Sequence, residues 1–146
     1  MDELFVKTNT PTLAQLAAVE AIIREAPQTE MPVTNYFSEG VYGRELFIPA
    51  GTVLVGKIHK FSSLNVLVSG DIGVLTNDGV RRISPPFVEV SPPGTKRIAY
   101  AITDTRWLTV HGTHETDVAK IEQHFIAQDE QEFLEFCKSQ QLLQGE

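Results

Sequence analysis

Residues 41–112 read as a succession of short β segments cut apart by turn residues, and this punctuation limits the possible folds more than any other feature of the chain. Candidate strands cover 42–48, 52–60, 64–69, 71–76, 80–84, 86–91, 96–102 and 106–112. Asn77-Asp78-Gly79 is a hairpin signal, because Asp-Gly supplies the positive φ values that a tight turn requires. Pro85-Pro86 and Pro92-Pro93-Gly94 mark turns or edges, since proline has no N–H to give to a central ladder. Strands this short at this spacing predict a closed barrel or jelly roll, an arrangement that leaves few free edges.

Helical periodicity flanks the β region. Leu13, Leu16, Ala17, Glu20 and Ile23 fall on one face of an Ala-rich helix over 12–24, with Thr10 or Thr12 to cap it, Pro11 near its start and Pro27 to end it. Residues 28–40 read as a connecting stretch. Val118, Ile121 and Phe125, then Phe133, Phe136 and Cys137, recur at helical spacing, and Asp129 followed by Glu132 is a helix start. The expected organisation is a single, mainly β domain over 1–146. It has a helical N-terminal extension (1–40), a β-barrel (41–112) and a helical C-terminal extension of one or two helices (113–146).

A chain of 146 residues with 42% apolar and 21% charged residues is long enough and apolar enough for a real core. No window approaches the roughly 18 consecutive apolar residues of a membrane helix. Met1-Asp2-Glu3-Leu4 lacks the basic start of a secretory signal, and the one cysteine, Cys137, excludes an internal disulfide. These features predict a location in a cytoplasm or within an assembly, with no membrane partner. The net charge of −7 argues against direct nucleic-acid binding. Residues 115–146 hold eight acidic and two basic residues, so an acidic tail follows a slightly basic barrel.

The segment from Gly51 through Lys57, His59 and Ser63 to Gly70 resembles the first motif of the cupin superfamily: Gly, five residues, His-x-His, three or four residues, Glu, six residues, Gly. Gly51, His59 and Gly70 fit, while Lys57 and Ser63 stand where a histidine and a glutamate belong. Pro92, Gly94, Arg97 and Ala101 are similar to the second motif, with Arg97 in the place of histidine and Ala101 in that of asparagine. The resemblance implies an RmlC-like jelly-roll barrel that keeps its turn-forming residues and has lost three of four metal ligands. A narrower resemblance, carried by 41–52, 56–60, 93–97 and 107–122, is to small cupin-like proteins of tailed bacteriophages.

Lys57 and His59 are two apart and share one side of a strand; the resemblance makes that side the lumen, which Arg97 also faces. Two fixed cations repel a divalent metal, so no metal and no cofactor is implied in the usual place. Lys57, His59, Arg97 and Tyr100 instead form a candidate anion pocket, since guanidinium and ammonium groups suit carboxylate or phosphate. Pairing of the cations with Glu45 or Glu89 at the rim is the plainer alternative. His111, if it faces inward, joins His59 in a second alternative, a two-histidine metal site. Tyr100 and Trp107 flank the lumen or fill the core; His114 and His124 read as surface residues, and Cys137 as packing.

Two functions lead from the sequence, ahead of a third, a metal-dependent cupin oxygenase or isomerase that needs His59 and His111 plus further ligands. One is a non-enzymatic phage accessory protein, either virion-associated through head or tail proteins or an oligomeric binding module, in the host cytoplasm or the virion. The other is a cupin that binds or acts on a small anionic ligand, a sugar or nucleotide, through Lys57, His59 and Arg97. A homo-oligomer is expected in both.

Overall fold

The computed structural model describes residues 28–76 and 79–143, together with Ala18, Ala21, Ile22, Arg24 and Glu25, which are helical. The rest of the helix predicted over 12–24 lies outside the described residues, as do Asn77 and Asp78 of the predicted hairpin turn.

Among the described residues, three antiparallel sheets make the body. The first has the order β1-β2-β10-β5-β8, formed by Val33–Ser38, Val41–Ile48, Thr105–Gly112, Ser63–Ser69 and Phe87–Ser91. The second has the order β3-β9-β6-β7, formed by Val53–Val55, Ile98–Ala101, Ile72–Thr76 and Gly79–Ile83. A two-stranded sheet pairs β4, Ile58–His59, with β11, Ile126–Ala127. Helices α1, Val118–Phe125, and α2, Glu130–Leu143, follow the barrel. The protein is therefore a mainly β jelly roll with C-terminal helices.

Strand alternation decides what lies inside. On β5, Ser63, Asn65 and Leu67 are buried while Leu64 and Val68 are exposed. Ile48 and Leu67 from the first sheet meet Ile72, Val74, Ile83 and Ala101 from the second, so the inner faces pack on each other. Removing that apolar surface from water is the main term that holds the two sheets together. Further along the same inner face the buried residues turn polar: Ser63, Asn65, Ser91, Thr109 and His111.

The C-terminal segment closes this polar end. Asp117 caps α1 through its carboxylate, which accepts the N–H groups of Ala119 at 2.9 Å and Lys120 at 3.4 Å. Ile121 and Phe125 are the buried face of α1. At α2 the predicted start forms as a capping arrangement: Asp129 accepts the N–H of Glu132 at 2.8 Å, and Glu132 accepts that of Gln128 at 2.7 Å. Lys60 ties both helices down, donating from its backbone to the Phe125 carbonyl at 2.8 Å and from Nζ to the Gln123 carbonyl at 3.0 Å, and pairing with Glu132 at 3.2 Å.

Three features depart from the sequence expectation. The connecting stretch 28–40 contains β1, whose six residues are all exposed. Its ladder with β2 and the left-handed turn at Gly40 (φ 75°) hold it, so no hydrophobic alternation betrays it. The strand expected over 52–60 is two short strands, because at Gly56-Lys57 the chain leaves β9 for β11. Gly56 N–H donates to the Arg97 carbonyl at 2.8 Å across that break. β11 is the third, two residues too short for any pattern to reveal.

The glycines that carry the barrel turns differ in what they demand. At Gly51 (φ 83°) a Cβ would meet nothing within 4 Å, whereas at Gly70 (φ 99°) it would lie 2.5 Å from the Asp104 carbonyl oxygen. Gly51→Ala is expected to cost about 1–2 kcal/mol from the left-handed backbone alone. Gly70→Ala should cost clearly more, and urea denaturation of the two variants checks the order.

Candidate functional site

Between the two sheets, at the end that α1 closes, lies a cavity of about 420 Å³, within the range of small-molecule sites. One wall is apolar, made by Leu46, Ile48, Leu54, Ile72, Val74 and the ring of Trp107. The polar side carries Arg44, His59, Ser91, Arg97 and His111. Helix α1 adds Ile121, Glu122 and Phe125.

Asn65 organises the polar side. Its Oδ1 accepts the indole N–H of Trp107 at 3.2 Å and the hydroxyl of Thr109 at 3.1 Å. Because indole can only donate, this fixes the amide orientation, and Nδ2 donates to Ser91 Oγ at 2.7 Å. Arg97 Nη1 donates to the same oxygen at 2.9 Å. Ser91 therefore accepts twice, and its own proton has no acceptor among the described residues. Arg97 also pairs with Glu89 at 3.3 Å through Nη2.

His59 and His111 stand face to face, ring centroids 5.9 Å apart and planes 21° apart. Phe125 stacks against His111 at 4.3 Å, with Tyr42 at 6.4 Å. Tyr42 in turn donates its hydroxyl to Asn35 on β1. Burial holds His111 down to about 4, helped by repulsion from His59, Arg44 and His124. Burial also lowers His59, with Arg44 and Arg97 adding to the effect. Both rings are neutral at pH 7. Each leaves a buried Nδ1 without a hydrogen-bond partner among the described residues, a deficit that costs about 1–3 kcal/mol per group until a ligand or water meets it.

The structure brings together some of the residues singled out from the sequence and separates others. His59 and Arg97 line the cavity, and Lys57 reaches it from an exposed position in the strand break. The same-side argument for Lys57 and His59 does not apply, because no continuous strand joins them. Tyr100 lies on the opposite face of β9 from the cavity-lining Ala99, packed with Ile98, Val53, Val55 and Leu75. His111 does face inward beside His59. His114 is exposed in the loop after β10, and His124 is exposed on α1, stacked on Phe61 at 5.0 Å. Glu45 pairs with Arg106 rather than with a lumen cation. Sequence reasoning missed Arg44, Ser91 and Asn65. Arg44 had a signal: it occupies an inward position of β2 between Tyr42 and Leu46, where alternation calls for an apolar residue.

Comparisons with known proteins fit this architecture. No family model and no curated protein matches the chain. Among solved structures it is similar to ectoine synthase from P. lautus, at 14% identity over 68% of this chain and 75% of that one, with a TM-score of 0.53. It is also similar to a cupin superfamily protein from Desulfitobacterium hafniense (14% identity, 73% and 96% of the two chains, TM-score 0.49). An RmlC-like cupin family protein with a double-stranded β-helix fold from Methanocaldococcus jannaschii is a third (13%, 58% and 82%, TM-score 0.48). The chain has the cupin jelly-roll fold.

Many cupin barrels carry a metal in the lumen, so the residues present must be tested against one. His59 and His111 supply two imidazoles. Among the described residues no group of three or more His, Cys, Asp or Glu side chains is placed to hold an ion. Arg44 and Arg97 also make the site unfavourable for a cation. The residues do not fit a divalent metal.

The His111 environment gives a pH dependence with a defined sign. Unfolded His111 titrates near 6.5 and folded His111 near 4, so between these values the unfolded chain binds more protons. Stability therefore falls as pH is lowered through that window, by roughly 2–3 kcal/mol from this one group, and the loss levels off below about 4. Urea midpoints measured from pH 7 to pH 4 should fall more steeply in the natural protein than in His111→Gln. Equal slopes would rule this role out.

Proposed function

We propose that this chain is a non-enzymatic cupin-fold binding module whose lumen takes a small organic anion. The observation that carries this reading is Arg44. It faces the cavity, half-buried, and has neither a hydrogen bond nor an ion pair among the described residues. A half-buried guanidinium with no carboxylate paired to it is costly, and an anionic ligand is a partner that removes the cost. Arg97 supports it from the same lumen, with the Ser91 hydroxyl proton free to join. His59 and His111 add neutral N–H donors, and Lys57 adds positive potential at the rim. With Tyr100 packed on the outer face of β9, the recognition set is Arg44, His59, Ser91, Arg97 and His111.

Thermal-shift screening against carboxylated and phosphorylated small molecules tests the proposal. A binding anion should raise the melting temperature by several degrees at concentrations far above its Kd. Arg97→Ala should abolish that shift, and Tyr100→Phe should leave it unchanged. Silence across a broad panel of anions would rule the reading out.

The setting we propose is a tailed-bacteriophage accessory protein, on the strength of the sequence resemblance, acting as a homo-oligomer or on the particle. The outward face of the first sheet favours association. Leu64 and Val68 on β5 and Val88 and Val90 on the edge strand β8 are exposed together, the last two at 62% and 65%. Contiguous exposed aliphatic residues beside an edge strand suit a second copy of the chain. Light scattering should give a mass above 16.2 kDa, and Val90→Lys should shift it toward the monomer. A monomer at high concentration would overturn the oligomer, and absence of the protein from purified particles would overturn the virion role.

A further inference from the structure

We infer that the anion taken by this lumen is a monocarboxylate on an apolar body, and not a sugar or a phosphate ester. The inference rests on the binding-module reading above and specifies its ligand. It follows from how the cavity divides its chemistry between two sides.

The apolar side offers nothing to hydroxyl groups. Leu46, Ile48, Leu54, Ile72 and Val74 have no polar side-chain atoms, and the indole N–H of Trp107 is already committed to Asn65. The Thr109 hydroxyl donates to the same Asn65 oxygen. A sugar pressed against this wall would lose hydrogen bonds to water and regain few, which disfavours it strongly. A hydrocarbon chain or ring gains from the same contact.

Charge sets the other half of the specificity. Arg97 already has Glu89 at 3.3 Å. Glu122 faces the cavity from α1, and both histidines are neutral at pH 7. Arg44 is thus the one lumen-facing guanidinium without a carboxylate partner among the described residues. One negative charge satisfies it; the second charge of a phosphate monoester would face Glu122 and a low-dielectric wall uncompensated. The planar fork of a guanidinium also matches a carboxylate. The hydroxyl of Ser91 supplies a neutral donor beside the second guanidinium, Arg97.

The experiment is calorimetric titration of the full chain with butanoate, pentanoate and hexanoate, then with cyclohexanecarboxylate, its neutral amide, inorganic phosphate and glucose 6-phosphate. Affinity should tighten about fourfold with each added methylene. Cyclohexanecarboxylate should bind at least tenfold more tightly than its amide, and Arg44→Gln should remove most of that difference. Both phosphates should bind more weakly than hexanoate. A flat methylene series, or a phosphate that outbinds hexanoate and depends on Arg44, overturns this inference while leaving the anion-binding lumen intact. Equal binding of acid and amide, or no binding by any anion, overturns both. Should Arg44→Gln fail to fold, the comparison of acid with amide on the natural chain still decides.

Discussion

The stack of Phe125 on His111 is the contact on which the site depends. It brings the last residue of α1 over the end of the barrel, 4.3 Å from an imidazole that projects from β10. Around it the backbone of Lys60 binds the Phe125 carbonyl, and Ile126 pairs with His59 on β4. Without this closure the polar end of the lumen would open to water, His59 and His111 would regain ordinary basicity, and Arg44 would be a solvated surface charge. The C-terminal segment turns a barrel end into a chamber of low dielectric, where a single unmatched charge has consequences.

A second constraint runs from β5. Asn65 is one residue of a seven-residue strand, yet its amide fixes Trp107 and Thr109 on β10 and Ser91 on β8. Trp107 can only donate, so the whole chain of donors has one direction, and that direction ends at a serine proton that the network leaves over. Arg97 leans on the same serine oxygen. Preorganisation of this kind lowers the ordering cost of binding, because the recognising groups are already held. It also explains why polar residues are tolerated in the barrel interior. They satisfy one another across three strands instead of facing hydrocarbon.

Much of the fold was legible in the sequence, because it is written in residues with unusual backbone needs. Gly51, Gly70 and Gly94 all adopt positive φ, and the prolines of 85–86 and 92–93 fall between strands. The helices after the barrel were equally plain, since Ile121, Phe125 and the Asp129–Glu132 pair carry periodicity and a cap. What stayed hidden was structure held by pairing alone: the exposed edge strand β1, the two-residue β11 and the partner switch at Gly56-Lys57. The site was half legible. His59, Arg97 and, conditionally, His111 could be named from spacing and resemblance. Tyr100 could not be placed without knowing which residue of β9 faces inward. Arg44 escaped because an arginine on a strand reads as a surface residue until its neighbours are seen to point into the lumen.

The departures from the cupin motif take on a different meaning in three dimensions. Arg97, at a ligand position of the motif that the sequence resembles, is held by Ser91 and Glu89, and Ser63, at another, is buried within the lumen lining. Arg44 adds a charge from a strand that carries neither motif. The proposed anion would be held by guanidinium and hydroxyl donors, where the motif that this sequence resembles holds a cation with acidic and imidazole ligands. The two neutral histidines are compatible with either chemistry, and the arginines around them favour an anion over a cation.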